Sequence, residues 1–249
     1  MSQHLLLDIE GTTCPVTFVS NILFPFAKRE LSNYINQYGN DSTQNRYIQD
    51  AREEWAKDQS VESAELKRQV NDQQISEVTG LTQYLEHLIS VDRKSTALKD
   101  IQGQIWEYGY NNGQLKAELF PEAAECLMRW HQERIALSVY SSGSIRAQQL
   151  LYKHTSKGNL APLFNQWFDT HTGPKKSSES YITIANQLNS NAENIWFVSD
   201  NGDECDAART AGMHTLFSLR DGNPDRNPRD HIIIHTLRDV SAHLTASSK

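Results

Sequence analysis

The second half of the chain alternates short apolar runs with segments of helical periodicity, and no other feature constrains the fold as strongly. Apolar runs cover 135–140, 195–198, 215–219 and 232–234, and the segments around them place apolar residues at helical spacing. Strands that alternate with helices in this way are typical of a parallel sheet covered by helices. A further apolar run at 3–9 predicts another buried strand at the start of the chain.

A long stretch after this first run has a different character. From residue 24 to about 109, apolar residues recur at helical spacing among charged and amide side chains, with no convincing strand. We therefore predict an α/β fold in which a Rossmann-like parallel sheet is interrupted after its first strand by an all-helical cap. The predicted domains are a core formed by 1–18 and 115–249 and a helical cap insertion at 19–114.

Composition and charge exclude several classes of function. The 249 residues include 24 Lys and Arg against 31 Asp and Glu, a net charge of −7, so nucleic acid and anionic membrane surfaces are disfavoured as partners. The longest apolar runs fall far short of the roughly 20 residues needed to span a bilayer. The first residues lack the basic region and cleavage site of a signal peptide, which predicts a cytoplasmic protein.

Chemistry-bearing residues follow the first two strands of the predicted sheet, at the edge where open parallel sheets bind ligands. Asp8 and Glu10 are two residues apart on an extended chain and point the same way. We expect Gly11, followed by Thr12, to turn the backbone and leave its amides free for an anion. An ordinary polar turn is the alternative for this loop.

Two serines come directly after the apolar run 135–140. Ser141 and Ser142 supply hydroxyls and backbone amides at a strand end that leads into a helix, an arrangement that favours phosphate binding. Simple helix capping by serine is the alternative.

Two further strand ends carry a cation and several acids. Lys175 and Lys176 precede a predicted helix, with a solvated lysine pair as the alternative. Four acids lie within residues 200–206, and their mutual repulsion favours a divalent cation, although a solvated acidic helix start would explain them too. Together the four loops predict one site that handles a phosphoryl group with Mg²⁺, because oxygen-rich donor sets without clustered His or Cys suit this ion.

The same loops, in this order, resemble the four motifs of the haloacid dehalogenase superfamily of phosphohydrolases. The matching residues are Asp8 to Thr12, Ser141 or Ser142, Lys175, and Asp200 with Glu204. Phosphatases of that superfamily normally carry Asp-x-Asp in the first motif, whereas the third position here is Glu10. With this glutamate and the strings at 105–110, 140–144 and 168–170, the chain is similar to the enolase-phosphatase family of the methionine salvage pathway.

The resemblance implies a haloacid dehalogenase-like fold and a monomeric, bifunctional enzyme that requires Mg²⁺. Its substrate would be a small phosphorylated diketone, 2,3-diketo-5-methylthiopentyl-1-phosphate, and its products the acireductone 1,2-dihydroxy-3-keto-5-methylthiopentene and phosphate. By the same resemblance, Asp8, the backbone carbonyl of Glu10 and Asp200 hold the metal, while Ser141, Ser142 and Lys175 bind substrate. A general small-molecule phosphomonoesterase or a phosphosugar mutase on the same scaffold is the alternative.

Catalytic roles follow from the chemistry of the two steps. Asp8 is the candidate nucleophile towards phosphorus, and Lys175 offsets the repulsion between that carboxylate and an anionic phosphate. Enolisation needs a base near a carbon-bound proton, and Glu10, one methylene longer than the usual aspartate, is the candidate. Gly11, Thr12 and Glu204 are expected to support these groups.

Overall fold

The structure is a computed structural model that describes residues 3–39, 45–91, 93 and 95–246. The chain divides into two compact units. One comprises Met1–Ser20 and Lys116–Lys249, and the other comprises Asn21–Leu115. Within the described ranges, no helix is both long enough and apolar enough to cross a membrane.

The first unit is built on a parallel sheet of six strands in the described part of the chain, in the order β3-β2-β1-β4-β5-β6. The strands are β1 (His4–Leu7), β2 (Ala136–Tyr140), β3 (Gln166–Phe168), β4 (Ile195–Ser199), β5 (His214–Ser218) and β6 (Ile232–Ile234). The predicted Rossmann-like sheet is therefore confirmed. The central strand β1 pairs with β2 on one side and β4 on the other, and its Leu5 lies opposite Leu137 and Trp196.

Helices flank this sheet, as the alternating pattern predicted. They span Ala123–Gln132, Ile145–Lys153, Ser178–Gln187, Gly202–Thr210 and Val240–Ala246. Ser144 caps the second of them and Asn201 the fourth, each by accepting hydrogen bonds from backbone amides of the first turn. Strand order reverses between β1 and β4, and this reversal opens a crevice at the carboxyl ends of those two strands.

The second unit is helical throughout its described residues, as predicted for the insertion. Its helices span Phe24–Tyr38, Arg46–Lys57, Val61–Asn71, Glu77–Ser90 and Thr96–Asn111. Leu31, Ile35, Leu85 and Ile101 are fully buried between them, which accounts for the helical spacing of apolar residues in the sequence. Trp106 donates its indole N–H to the Leu23 carbonyl at 2.8 Å and therefore packs within this unit.

Candidate active site

The first and fourth predicted loops meet at the crevice between β1 and β4. Asp8 directly follows β1 and Asp200 directly follows β4, and the Asp8 N–H donates to the Val198 carbonyl at 2.9 Å. Both carboxylates are buried, with 5% and 8% of each residue exposed. The apolar strands thus carry two acidic side chains, 192 positions apart in the chain (200 − 8), to one edge of the sheet.

Lys175 lies among these acids as a buried cation. Its Nζ is 2.8 Å from Asp8 Oδ1 and 2.6 Å from Glu204 Oε2, and 9% of its side chain is exposed. Burial by itself lowers the pKa of an ammonium group, but the charges of Asp8 and Glu204 outweigh it and hold the pKa of Lys175 above its usual range. The group is therefore a permanent positive charge beside two carboxylates.

The loop that carries Lys175 is held by hydroxyl groups. The carbonyls of three consecutive residues, 173–175, accept hydrogen bonds from Tyr140, Ser180 and Tyr181 at 2.9, 2.8 and 2.7 Å respectively. All three donor residues are buried. The position of the ammonium is thus fixed by the fold before any ligand binds, which is what electrostatic catalysis requires.

Four carboxyl groups share this site with a single lysine, and burial and the excess of negative charge raise the pKa of three of them. The four are Asp8, Glu10, Asp200 and Glu204. Burial, followed by the charge of Asp8, raises the pKa of Glu10 to about 7 and that of Asp200 to about 7. The same two causes raise the pKa of Glu204 to about 6. Clustered oxygen donors with excess negative charge suit a hard divalent cation, because the cation relieves their mutual repulsion.

Ser199 also belongs to this cluster, and the sequence analysis missed it. Its Oγ lies 3.1 Å from Asp8 Oδ2 and 2.9 Å from Glu204 Oε2, and the residue is fully buried. The available signal was a hydroxyl at the last position of an otherwise apolar strand, immediately before Asp200. A side chain there faces either the site or the core, and the sequence alone does not distinguish the two.

The first loop corrects one expectation. The amide of Gly11 donates to the Cys14 carbonyl at 2.8 Å and that of Thr12 to the Ile9 carbonyl at 3.2 Å, so these N–H groups are used within the loop. The prediction that they are free for an anion is wrong. The turn closes on itself because residues 11–14 are buried and each buried backbone donor needs a partner.

The glycine at position 11 instead allows the first loop to lie close to the Asp200 carboxylate. Its φ is +67°, in the left-handed region that favours glycine, and a Cβ at this position would lie 2.1 Å from Asp200 Oδ2. The neighbouring Thr12 is fully buried, and its Oγ1 has no hydrogen-bond partner among the described residues. Loop and carboxylate therefore lie in direct contact.

The second loop brings Ser141 to the same edge, because β2 neighbours β1. Ser141 is buried, its amide donates to the Phe168 carbonyl at 3.2 Å, and its Oγ accepts from the Gly143 amide at 3.3 Å. The hydroxyl proton of Ser141 thus stays available to a ligand, whereas Ser142 is exposed. Ser144 caps the following helix, so the capping alternative holds for that serine.

Lys176 and two of the four acids lie outside the site. Lys176 pairs with Asp203 at 2.6 Å on the surface, and Asp203 and Asp206 both pair with Arg229. For these residues the solvated alternative is correct. Asp203 and Asp206 lie on a different face of the helix Gly202–Thr210 from Glu204, and Lys176 pairs with Asp203 on that outer face. In the described part of the chain, no three His, Cys, Asp or Glu side chains form a complete metal centre, so a cation here needs backbone, water or substrate oxygens as well.

Comparison with known proteins agrees with this geometry. Residues 3–212 match the family model described as haloacid dehalogenase-like hydrolase. The chain is 67% identical to Enolase-phosphatase E1 of Synechococcus sp. strain CC9605, over 98% of both chains. It is 54% identical to Enolase-phosphatase E1 of Parasynechococcus marenigrum strain WH8102, over 97% of this chain and 98% of that one. Among solved structures, the UTR4 protein of Saccharomyces cerevisiae matches with a TM-score of 0.73 and 28% identity, over 95% of this chain and 98% of that one.

Proposed function

Because this chain belongs to the enolase-phosphatase family of haloacid dehalogenase-like hydrolases, we propose that it acts in methionine salvage with Mg²⁺ as cofactor. The proposed reaction converts 2,3-diketo-5-methylthiopentyl-1-phosphate to the acireductone 1,2-dihydroxy-3-keto-5-methylthiopentene and phosphate. One observation carries the proposal: a buried lysine contacts Asp8 and Glu204 at the crevice where strand order reverses. A monomeric state and a cytoplasmic location stay predictions.

The donor set fits Mg²⁺. The carboxylates of Asp8 and Asp200 and the backbone carbonyl of Glu10 would hold the ion, and all three groups supply the hard oxygen ligands that it prefers. The excess negative charge that raises the pKa of Asp200 supports a cation in this position. When bound, Mg²⁺ neutralises charge on the phosphoryl group during transfer.

The side chains of the protein divide the phosphoryl transfer among themselves. Asp8 attacks phosphorus while the ester bond between phosphorus and the substrate oxygen breaks, and the leaving oxygen takes up a proton to become a hydroxyl group of the product. Water then hydrolyses the aspartyl phosphate, which releases phosphate and restores the Asp8 carboxylate. Lys175 and the Ser141 hydroxyl bind the phosphate oxygens, and the ammonium counters the repulsion between two anionic reactants. The Ile9 amide and Ser199 hold the two oxygens of Asp8 at 2.8 and 3.1 Å, so the nucleophile is oriented before substrate arrives.

Enolisation is assigned to Glu10. The base must reach a proton on the carbon next to a substrate carbonyl, and the longer glutamate side chain extends further from the first loop than the usual aspartate. Asp8 forms an ion pair with Lys175, and Glu204 contacts both Lys175 and Ser199. These contacts hold both carboxylates beside the group that binds phosphate, so neither is placed to remove a proton from a substrate carbon.

A single incubation tests the main proposal. The protein is mixed with the diketo phosphate ester, with and without EDTA, and both phosphate release and the near-ultraviolet absorbance of the acireductone are followed. We expect both signals with Mg²⁺ and neither with EDTA, and we expect Asp8→Asn to abolish both. Phosphate release without the chromophore would instead identify a general phosphomonoesterase. If the diketo phosphate ester gives neither signal but a phosphosugar is isomerised in a separate incubation, the protein is a mutase.

The role of Glu10 is tested separately with Glu10→Asp. This variant retains a carboxylate but withdraws it by one methylene, so we expect turnover of a simple phosphate ester to persist while acireductone formation is lost. Equal losses in the two activities would show that Glu10 is not specific to enolisation.

A further inference from the structure

Three residues at the end of the fifth strand and just after it hold the first catalytic loop. They are Ser218, the last residue of β5, with Arg220 and Asn223, and we call them the β5 clamp. The Gly11 carbonyl accepts a hydrogen bond from Ser218 Oγ at 2.9 Å and another from Asn223 Nδ2 at 3.0 Å. All three clamp residues are buried, with at most 8% of each exposed. A single carbonyl thus has both of its acceptor positions filled by side chains more than 200 positions away in the chain.

The direction of each hydrogen bond is fixed by the chemistry of its partners. Arg220 Nε, which can only donate, contacts Ser218 Oγ at 3.3 Å, so the single hydroxyl proton of Ser218 points to Gly11. Asn223 faces two carbonyls, those of Gly11 and Ser218, each at 3.0 Å, so the amide nitrogen and not its oxygen must lie there. The clamp therefore has one hydrogen-bonding arrangement and no competing one.

Arg220 is itself anchored. Its guanidinium lies 2.7 Å from Glu122 Oε1 and 3.8 Å from the centroid of the Phe120 ring. The Phe120 amide in turn donates to the Thr13 carbonyl at 3.0 Å. The first loop is consequently held at two carbonyls, those of Gly11 and Thr13, by one connected set of contacts.

Holding the Gly11 carbonyl also fixes the groups proposed to bind Mg²⁺. The Gly11 amide points to the Cys14 carbonyl, and because the peptide bond is planar and trans, the Glu10 carbonyl points the opposite way, out of the loop. The Asp200 carboxylate occupies the space that a Cβ on Gly11 would need. A shift of Gly11 would therefore move the Glu10 carbonyl and release Asp200 together.

We propose that Ser218 and Asn223 are positioning residues that set the Mg²⁺ affinity of the site by fixing the Gly11 carbonyl. This inference rests on the proposed metal site and extends it to residues that touch neither metal nor substrate. Ser218→Ala and Asn223→Ala each remove one of the two donors to Gly11, the residue next to the proposed ligand Glu10. Loss of a direct hydrogen-bond partner of a metal ligand weakens metal binding about 10–100-fold, so for this adjacent residue we expect Mg²⁺ binding to weaken about tenfold in each variant.

The test measures Mg²⁺ alone, by isothermal titration calorimetry on the full-length protein after EDTA treatment and dialysis. The control is Asn165→Ala, which removes a side-chain hydrogen bond to the Leu137 amide at 3.0 Å, near the opposite end of the same sheet. We expect the control to bind Mg²⁺ as the wild type does. In turnover assays, the two clamp variants should need about tenfold more Mg²⁺ for half-maximal rate yet approach the wild-type rate at saturation.

The outcomes separate this inference from the proposed function. Wild-type Mg²⁺ affinity in Ser218→Ala and Asn223→Ala would overturn the inference, as would an equal loss in Asn165→Ala. If Asn223→Ala does not fold, Ser218→Ala, which leaves Gly11 one donor, decides alone. If the wild type binds Mg²⁺ but does not convert the diketo phosphate ester, the proposed function fails while the calorimetric comparison still decides the role of the clamp.

Discussion

Gly11→Ala is the change that most directly probes the contact between the first loop and the metal carboxylate. The new Cβ would lie 2.1 Å from Asp200 Oδ2 and 2.5 Å from its Cγ, whereas real Cβ contacts essentially never fall under 3.0 Å. Asp200 or the loop must therefore withdraw by about 1 Å, a displacement that can lower a catalytic rate by roughly 100-fold. Alanine also has to adopt φ of +67°, which costs about 1–2 kcal/mol.

Gly158→Ala is the matched control. Gly158 has φ of +91° in the same unit, but no atom lies within 4 Å of its would-be Cβ. This variant should therefore lose a similar 1–2 kcal/mol from backbone strain while its active site stays intact. The would-be Cβ of Gly11 also lies 2.9 Å from Asn223 Nδ2, so the difference between the two variants separates the steric collisions at Gly11, of which that with Asp200 is the closest, from the cost of the left-handed backbone.

The assays are urea denaturation for stability and phosphate release for activity. We expect similar unfolding free energies for the two variants, but a kcat/KM about 100-fold below wild type in Gly11→Ala alone, equivalent to about 2.7 kcal/mol of transition-state stabilisation. Activity in Gly11→Ala that equals that of Gly158→Ala would refute the reasoning, since the collision would then have been absorbed without cost to the site.

Three further substitutions test the charges of the fold. Lys175→Met removes two charge-assisted hydrogen bonds of roughly 1.5–3 kcal/mol each, so it should lower the unfolding free energy by about 3–6 kcal/mol and abolish phosphate release. Its control is Lys176→Met, at an exposed position, which should change neither quantity. Glu122→Gln leaves Arg220 without its buried partner and should lower the unfolding free energy by about 3–5 kcal/mol, as measured in urea. Burial opposes ionisation of Asp58, but hydrogen bonds and an ion pair outweigh it and hold the pKa of Asp58 below its usual value of 3.8. Ionised Asp58 therefore stabilises the fold above pH 3.8, and the difference in unfolding free energy between wild type and Asp58→Asn should narrow as the pH falls below that value.

The sheet was predictable because its signals are local. Each strand is a short apolar run that ends at a polar loop, and a parallel sheet buries both faces of such a run. The carboxyl ends of parallel strands share one edge, so Asp8 and Asp200 could be expected to meet without knowledge of any contact. The helical insertion was equally predictable from the sequence, since apolar residues recur at helical spacing in the helices Phe24–Tyr38 and Thr96–Asn111.

The contacts that complete the site were not predictable, because they depend on tertiary packing. Lys175 and Lys176 are adjacent and identical, yet one is buried against Asp8 and the other pairs with Asp203 on the surface. Which lysine turns inward depends on the buried hydroxyls that hold its loop. Likewise, nothing near Gly11 in the sequence indicates that Asn223 holds its carbonyl.

The distribution of charge in the site favours a second cation besides its lysine. Lys175 contacts Asp8 and Glu204, whereas among the described residues no lysine or arginine forms an ion pair with Glu10 or Asp200. The cluster thus has a neutralised side, where Lys175 pairs with Asp8 and Glu204, and an uncompensated side with Glu10 and Asp200. Asp8 belongs to both sides, because its charge also raises the pKa of Glu10 and Asp200. On the proposed assignment, Asp8, Asp200 and the Glu10 carbonyl would hold Mg²⁺ on the uncompensated side, so that the metal and Lys175 would both supply positive charge to a phosphate that approaches Asp8. A carboxylate can attack an anion only under such conditions, and the burial of these acids strengthens the effect because the low dielectric leaves their charges poorly screened.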